Sequence, residues 1–135
     1  MIKKVSINNV SHRTNLVMSF VNLDTMFYAQ KKLIDKIKKD KPDFWGPEKF
    51  EGERIFRLCS FLIHEAVELQ QETKWKHWKA PENYKIDYEN RYVEIADLWH
   101  VLIQLSMECG LTADDVMYHF NKKHDENMDR QVRRY

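Results

Sequence analysis

Four acidic side chains fall into two pairs of the same spacing, Glu65 with Glu68 and Glu94 with Asp97. At i, i+3 on a helix each pair projects from one side, and on antiparallel neighbours the two pairs can surround a common point. Four carboxylates brought together repel one another. A hard divalent cation removes that repulsion, and an all-oxygen donor set favours Mg2+, with Mn2+ as a substitute, over zinc. Spacing alone favours a plainer reading, the solvated faces of amphipathic helices. The stretch between the pairs shifts the balance. Trp75, Lys76, His77, Trp78 and Lys79 put two flat rings and two cations side by side; Trp can stack on a base and Lys can neutralise a phosphate. Further on, Lys123, Asn127 and Arg130 share one face at i, i+4, i+7 spacing. Together these describe a site for a metal-bound nucleoside phosphate. Hydrolysis there would use metal to offset charge and activate water, with Glu65 as the favoured proton acceptor.

Helices must position these groups. Asp24 reads as the N-cap of a first helix over Thr25 to about Lys39, striped by Met26, Phe27, Leu33, Ile34 and Ile37. Pro42 and Gly46-Pro47 interrupt it. A second helix is expected from about Glu48 to Thr73, with Ile55, Leu58, Cys59, Leu62, Ile63, Ala66 and Leu69 within an arc of about 140°. Residues 74–86 carry no period and read as an aromatic, basic loop. A third helix is expected from Asp87 to Cys109, with Gly110 as its C′ residue. Thr112 and Asp115 resemble a capping box opening a fourth helix to about Arg130. The third helix is apolar over about 200°, leaving a narrow polar stripe of Glu94, Asp97, His100, Gln104 and Glu108. Such a helix is either central or packed on a second subunit.

Composition bounds the rest. The 135 residues suit one domain, and six Gly plus Pro argue for a few long elements over an all-β or Rossmann-type fold. The expected fold is an all-α antiparallel bundle of about four main helices. With 22 basic and 21 acidic residues, the chain lacks the basic footprint of a duplex-DNA binder, so no nucleic-acid polymer is expected as a partner. No run of 18 apolar residues points to a membrane span. The N-terminal MIKKVSINNVSHR has no apolar core of a signal peptide. Cys59 and Cys109 are read as reduced core residues of a cytoplasmic protein.

The strings HEAVELQQETKWKHWK and VEIADLWHVLIQLSMECGLTADDVMYHFNKKHDENMDRQ resemble the dimeric all-α dUTPases. That group lies among the all-α, MazG-like nucleotide pyrophosphohydrolases, and the likeness is to its phage-type members, including dCTPase-dUTPases. The resemblance covers roughly residues 23–131, with three motifs in order, and leaves residues 1–22 as an arm of the single 1–135 domain. It implies Mg2+ ligation by Glu65, Glu68, Glu94 and Asp97, and phosphate or base contacts from Trp75, Lys76, Trp78 and Lys79. It places His100 near the base, Lys123, Asn127, Arg130 and Gln131 on phosphates and sugar, and Gln30 in the first-helix motif. It implies a homodimer, hydrolysis of dUTP to dUMP and pyrophosphate by attack at the β-phosphorus, and use of the diphosphate too.

The chain departs from the pattern at Gln30-Lys31 and Leu33-Ile34, where Gln-Gln and Leu-Asn are usual, and at His124, where Asn is usual. It also ends at Tyr135 without the usual Gly-Tyr after Arg-Gln and lacks the extra helices of longer members. Loss of the Asn loosens the expectation of uracil specificity. Two other readings stand beside dUTP hydrolysis: a dCTP/dUTP or broader house-cleaning pyrophosphohydrolase, and a non-catalytic helical module whose acidic stripe meets a basic partner.

Overall fold

The computed structural model describes residues 22–133, which form four helices: α1 Leu23–Asp40, α2 Glu53–Gln71, α3 Tyr88–Glu108 and α4 Ala113–Arg133. A short 3-10 turn, Pro42–Trp45, follows α1. The fold is an all-α bundle, as expected, with no strand among the described residues. The 1–22 arm lies, except for Asn22, outside the described residues.

Local chemistry sets the ends of each helix. The cap of α1 is Asn22, not Asp24. Asn22 accepts from the Thr25 amide at 2.9 Å while the Thr25 hydroxyl accepts from the Asn22 amide at 3.3 Å. This reciprocal pair outcompetes Asp24, which sits in the first turn where a carboxylate meets the positive end of the helix dipole. The start of α2 is also later than expected. Gly52, at φ 80°, turns the chain, and the helix begins at Glu53. Glu48 lies outside the helix and serves it from there, accepting from the Arg54 amide at 2.9 Å. Asp87 caps α3 by accepting from the Asn90 amide at 3.0 Å. The far end of α3 closes with Gly110 N–H on Met107 O and Leu111 N–H on Ser106 O, a Schellman motif whose left-handed residue is Gly110. Thr112 and Asp115 form the reciprocal cap of α4.

Helix α3 is the centre of the bundle. It packs most extensively on α2 and next on α1, whereas the main packing of α4 is against α1. The α2–α3 pair is antiparallel. Arg54 near the start of α2 donates to Glu108 at the end of α3 at 2.6 Å. At the opposite end, Arg91 donates to the carbonyl of Glu72 at 2.8 Å. Ile34, Leu58, Ile103 and Ala113 are the buried apolar residues, and no described side chain falls below 2% exposure. Much of the apolar surface remains open, including Ile95, Trp99 and Leu102 on α3 and Tyr118 and Phe120 on α4. Cys59 and Cys109 are free but exposed, which corrects their reading as core residues. Their helix faces are apolar as expected, yet no described helix covers them. No helix among the described residues is long and apolar enough to cross a membrane.

Candidate active site

The sequence separates Glu65 and Glu68 from Glu94 by a loop, and the antiparallel packing of α2 on α3 brings them together. A carboxylate oxygen from each lies within 4.8 Å of the other two. Register is held next to the cluster from the joining loop and from α3: the Tyr84 hydroxyl and the Arg91 guanidinium both donate to Glu72 O. Asp97, one turn beyond Glu94, stands outside the closest trio but near enough to act on it electrostatically. Burial, then the neighbouring Glu68 and Asp97 charges, push the Glu65 carboxyl above its ordinary value. Glu94 is pushed up by the same causes in the same order, with Glu72 adding to them and Asn90 opposing.

One oxygen of this cluster tests whether a cation fits. Glu94 Oε1 accepts from Asn90 at 3.4 Å, while Oε2 is buried with no hydrogen-bond partner. A buried, unpartnered carboxylate oxygen costs free energy in a protein interior. The Glu94 carboxylate stands with two others, of which Glu68 is paired with His64 at 3.6 Å. An all-oxygen set with an orphaned atom is a donor set for a hard divalent cation.

Two further expected residues, Gln30 and His100, meet where α1 packs on α3. Gln30 of α1 is 4% exposed, and its Oε1 lies 2.6 Å from Nδ1 of His100. Its Nε2 donates to Oε1 of Gln104 at 3.3 Å. His100 also lines a cavity of about 360 Å³ between α1 and α3, with Met26, Tyr92, Ile95 and Trp99 among its walls. This mostly apolar slot, with Tyr92 and His100 among its walls, is large enough for a planar ring. A larger cavity of about 590 Å³ lies along the N-terminal half of α2, beside Arg54, Arg57 and Phe61, and none of the clustered carboxylates lines it.

The remaining expected residues are not drawn in by this chain alone. Trp75 and Trp78 meet edge to face at 6.4 Å between ring centres, with Lys76 Nζ 4.5 Å from the Trp75 ring centre. Lys76, Trp78 and Lys79 are exposed in the turn just after α2. On α4, Lys123 and Arg130 both pair with Glu126, at 2.7 and 2.6 Å, and Asn127 is exposed beside them. These pairings hold the Glu126 carboxyl below its ordinary value, Lys123 contributing most. No hydrogen bond or ion pair among the described residues joins this face to the clustered carboxylates.

Arg91 and Glu126 went unread in the sequence, and Gln104 stood there only as part of the α3 polar stripe, without a role. Gln104 stands four residues after His100 on the polar stripe, and that spacing is the signal that could have found it. Glu126 stands three residues after Lys123 and four before Arg130. Arg91 carries no such signal, because it acts on the backbone carbonyl that caps the end of α2.

Residues 22–112, more than half of the chain, match a family model described as dUTPase. Neither the curated proteins nor the solved structures offer a match.

Proposed function

The chain belongs to the dUTPase family and is a dUTP diphosphatase-like hydrolase acting on a small nucleotide, and from that premise we propose that it hydrolyses dUTP to dUMP and pyrophosphate with Mg2+ as cofactor. The observation that carries this is the Glu65–Glu68–Glu94 cluster with its orphaned Glu94 oxygen. Glu65, Glu68, Glu94 and Asp97 are the residues that would hold the metal. When bound, Mg2+ would neutralise the carboxylates, offset charge on the phosphate oxygens and lower the pKa of the attacking water.

The protein's own groups divide the remaining work. Glu65 takes the proton of the attacking water. Trp78 offers a face to the base, and Lys76 and Lys79 neutralise phosphate. Lys123, Asn127 and Arg130 hold phosphate and sugar from an α4 face that this chain leaves apart from its own carboxylates. A homodimer reconciles these placements: a second copy would cover the open apolar surface of α3 and α4 and supply the missing side of the site.

Base choice has a second reading, favoured by one observation. Ile34, at the position of the usual base-reading Asn, is buried at 7% exposure, and Lys31 is exposed and paired with Asp35. Neither reads a base, which leaves dCTP open as a further substrate. The test is pyrophosphate release from a panel of deoxy- and ribonucleoside triphosphates with and without Mg2+. Mg2+-dependent release, fastest from dUTP, is expected. No release from any nucleotide would overturn the hydrolase reading in favour of a binding module.

A further inference from the structure

The loop that carries Trp75, Lys76, Trp78 and Lys79 is tied to the helices at one backbone atom. Glu72 is the C-cap of α2, and a carbonyl there has no partner within its own helix. Two donors from farther along the chain reach it. The Arg91 guanidinium Nε donates at 2.8 Å and, more weakly, the Tyr84 hydroxyl at 3.4 Å. The stretch from 73 to 83 therefore leaves and returns beside a single oxygen. Glu72, Tyr84 and Arg91 are all half-buried. Arg91 supplies most of the anchor, because its hydrogen bond is charge-assisted and a cation at a helix C-terminus meets the negative end of the dipole. That cation is not spent on an acid. Glu94 lies three residues on, at a spacing that suits an ion pair on one helix, yet no carboxylate pairs with Arg91 among the described residues.

Within the tied loop the side chains hold one another. Trp75 Nε1 donates to Gln71 Oε1 in the last turn of α2 at 3.1 Å, and the Trp78 ring meets the Trp75 ring edge to face. The Lys79 amide closes a turn on Lys76 O at 2.8 Å, and Lys74 Nζ lies 5.8 Å from the Tyr84 ring centre. Trp78, Lys76 and Lys79 are thus exposed on a frame whose base is Glu72. The carboxylates stand beside the same base. Glu68 is one turn before Glu72 on α2, and Glu94 is one turn after Arg91 on α3. One hydrogen bond between the helices lies between the loop and the acidic trio.

Resting on the nucleotide reading above, we propose that Arg91, with Tyr84 as the lesser partner, is a positioning residue that holds the Trp75–Lys79 loop in place beside the carboxylates. A nucleotide bound by the loop then meets the metal cluster without first ordering the loop. Arg91 itself touches neither nucleotide nor metal; it acts through the Glu72 carbonyl.

Two measurements on the full chain test the proposal. Arg91→Met keeps the aliphatic stem and removes donors and charge; Tyr84→Phe keeps the ring beside Lys74 and removes the hydroxyl. With the frame intact only part of the time, apparent affinity falls by that fraction and kcat recovers at saturation. KM for dUTP should therefore rise about ten- to hundredfold in Arg91→Met, the span that loss of one charged hydrogen bond commands. It should rise less in Tyr84→Phe, with kcat near wild type in both. An unchanged KM, or a loss confined to kcat, overturns the proposal. So does loss in Arg91→Met of the Mg2+-induced rise in Tm measured without nucleotide, since the residue would then serve the metal cluster. The second measurement is nitrogen-15 NMR of the indole N–H groups without nucleotide or metal. The Trp75 and Trp78 signals should shift or broaden in Arg91→Met while that of Trp99 on α3 holds; unchanged Trp75 and Trp78 signals overturn the anchor. If the wild type hydrolyses no nucleotide, the hydrolase reading falls and the nucleotide role of the loop with it, while the indole signals still decide the anchor. Should Arg91→Met not fold, Tyr84→Phe decides by the same two readouts.

Discussion

Glu94→Gln should reverse its effect on stability when Mg2+ is added. In the metal-free protein the Glu94 carboxylate has one buried oxygen without a partner and lies, with Glu65 and Glu68, in a trio within 4.8 Å. Glutamine removes one of three like charges and offers an amide that can donate to either remaining carboxylate. In excess chelator near pH 7 the variant should therefore melt above the wild type. Mg2+ binds only the folded wild-type cluster with full strength, and a ligand at a hundredfold excess over its Kd stabilises by about 2.7 kcal/mol. For a domain of this size each kcal/mol moves Tm by roughly 3–5 °C, so the wild type should gain about 10 °C. The variant keeps fewer ligand oxygens and should gain only a small part of that, leaving it below the wild type. Thermal melts followed by circular dichroism, at equal chain concentration with chelator and with saturating Mg2+, make the comparison. A wild type indifferent to Mg2+, or a variant less stable than wild type in chelator, refutes the reasoning: the acidic trio would then be an ordinary solvated surface.

The same cluster sets a pH dependence. Because Glu65 and Glu94 bind protons more tightly folded than unfolded, the metal-free protein should be most stable near the unfolded carboxyl value of 4.5 and lose stability as pH rises through the raised folded values. Melts between about pH 5 and 8 should show that fall in chelator and a flatter line in Mg2+. Below this range Asp115 and Glu126, whose carboxyls are held low, act in the opposite sense as they are protonated. Asp97→Asn should abolish turnover while circular dichroism stays that of the wild type; Mg2+-supported hydrolysis at the wild-type rate would remove Asp97 from the metal site. Trp78→Ala should raise KM roughly ten- to hundredfold, the worth of one base–aromatic stack, and an unchanged KM would leave the exposed ring with another role. Gly110→Ala meets no atom within 4 Å, so its cost is the left-handed backbone alone, about 1–2 kcal/mol by denaturant titration.

What could be read from the sequence was whatever depends on neighbours along the chain. Gly110 and the Thr112–Asp115 pair cap helices through residues at most a turn away, and each stands where spacing placed it, while Asp87, read as the first residue of its helix, caps it. The two helix starts that moved show the limit of the same logic. Asp24 and Asn22 are both good caps, and only the returning Thr25 hydroxyl decides between them. Gly46-Pro47 is a stronger sequence break than Gly52, yet the positive φ that starts α2 is at Gly52. The carboxylate trio was legible because i, i+3 spacing survives any packing that sets α2 against α3. Gln30 was legible only as a motif position; that its amide turns inward to His100 and Gln104 depends on how α1 crosses α3, and no spacing within α1 encodes it.

The cysteines and the α4 cations mark the other boundary, where one chain is too little context. Apolar periodicity states which face of a helix seeks cover, but not whether the cover comes from the same chain. Cys59 and Cys109 lie on such faces and are exposed, as are Trp99 and Leu102 on the central helix. Lys123 and Arg130 share the predicted face, yet their partner here is Glu126, one turn away. In the proposed homodimer these two shortfalls have one cause. The surface that would close the core of a second copy is carried by the same helices whose polar faces would meet its phosphates. A variant that breaks the dimer through an exposed apolar residue of α4, such as Phe120→Glu, should then lose activity without touching a site residue. Sedimentation of that variant as a folded monomer with full activity would separate assembly from catalysis and return the whole site to one chain.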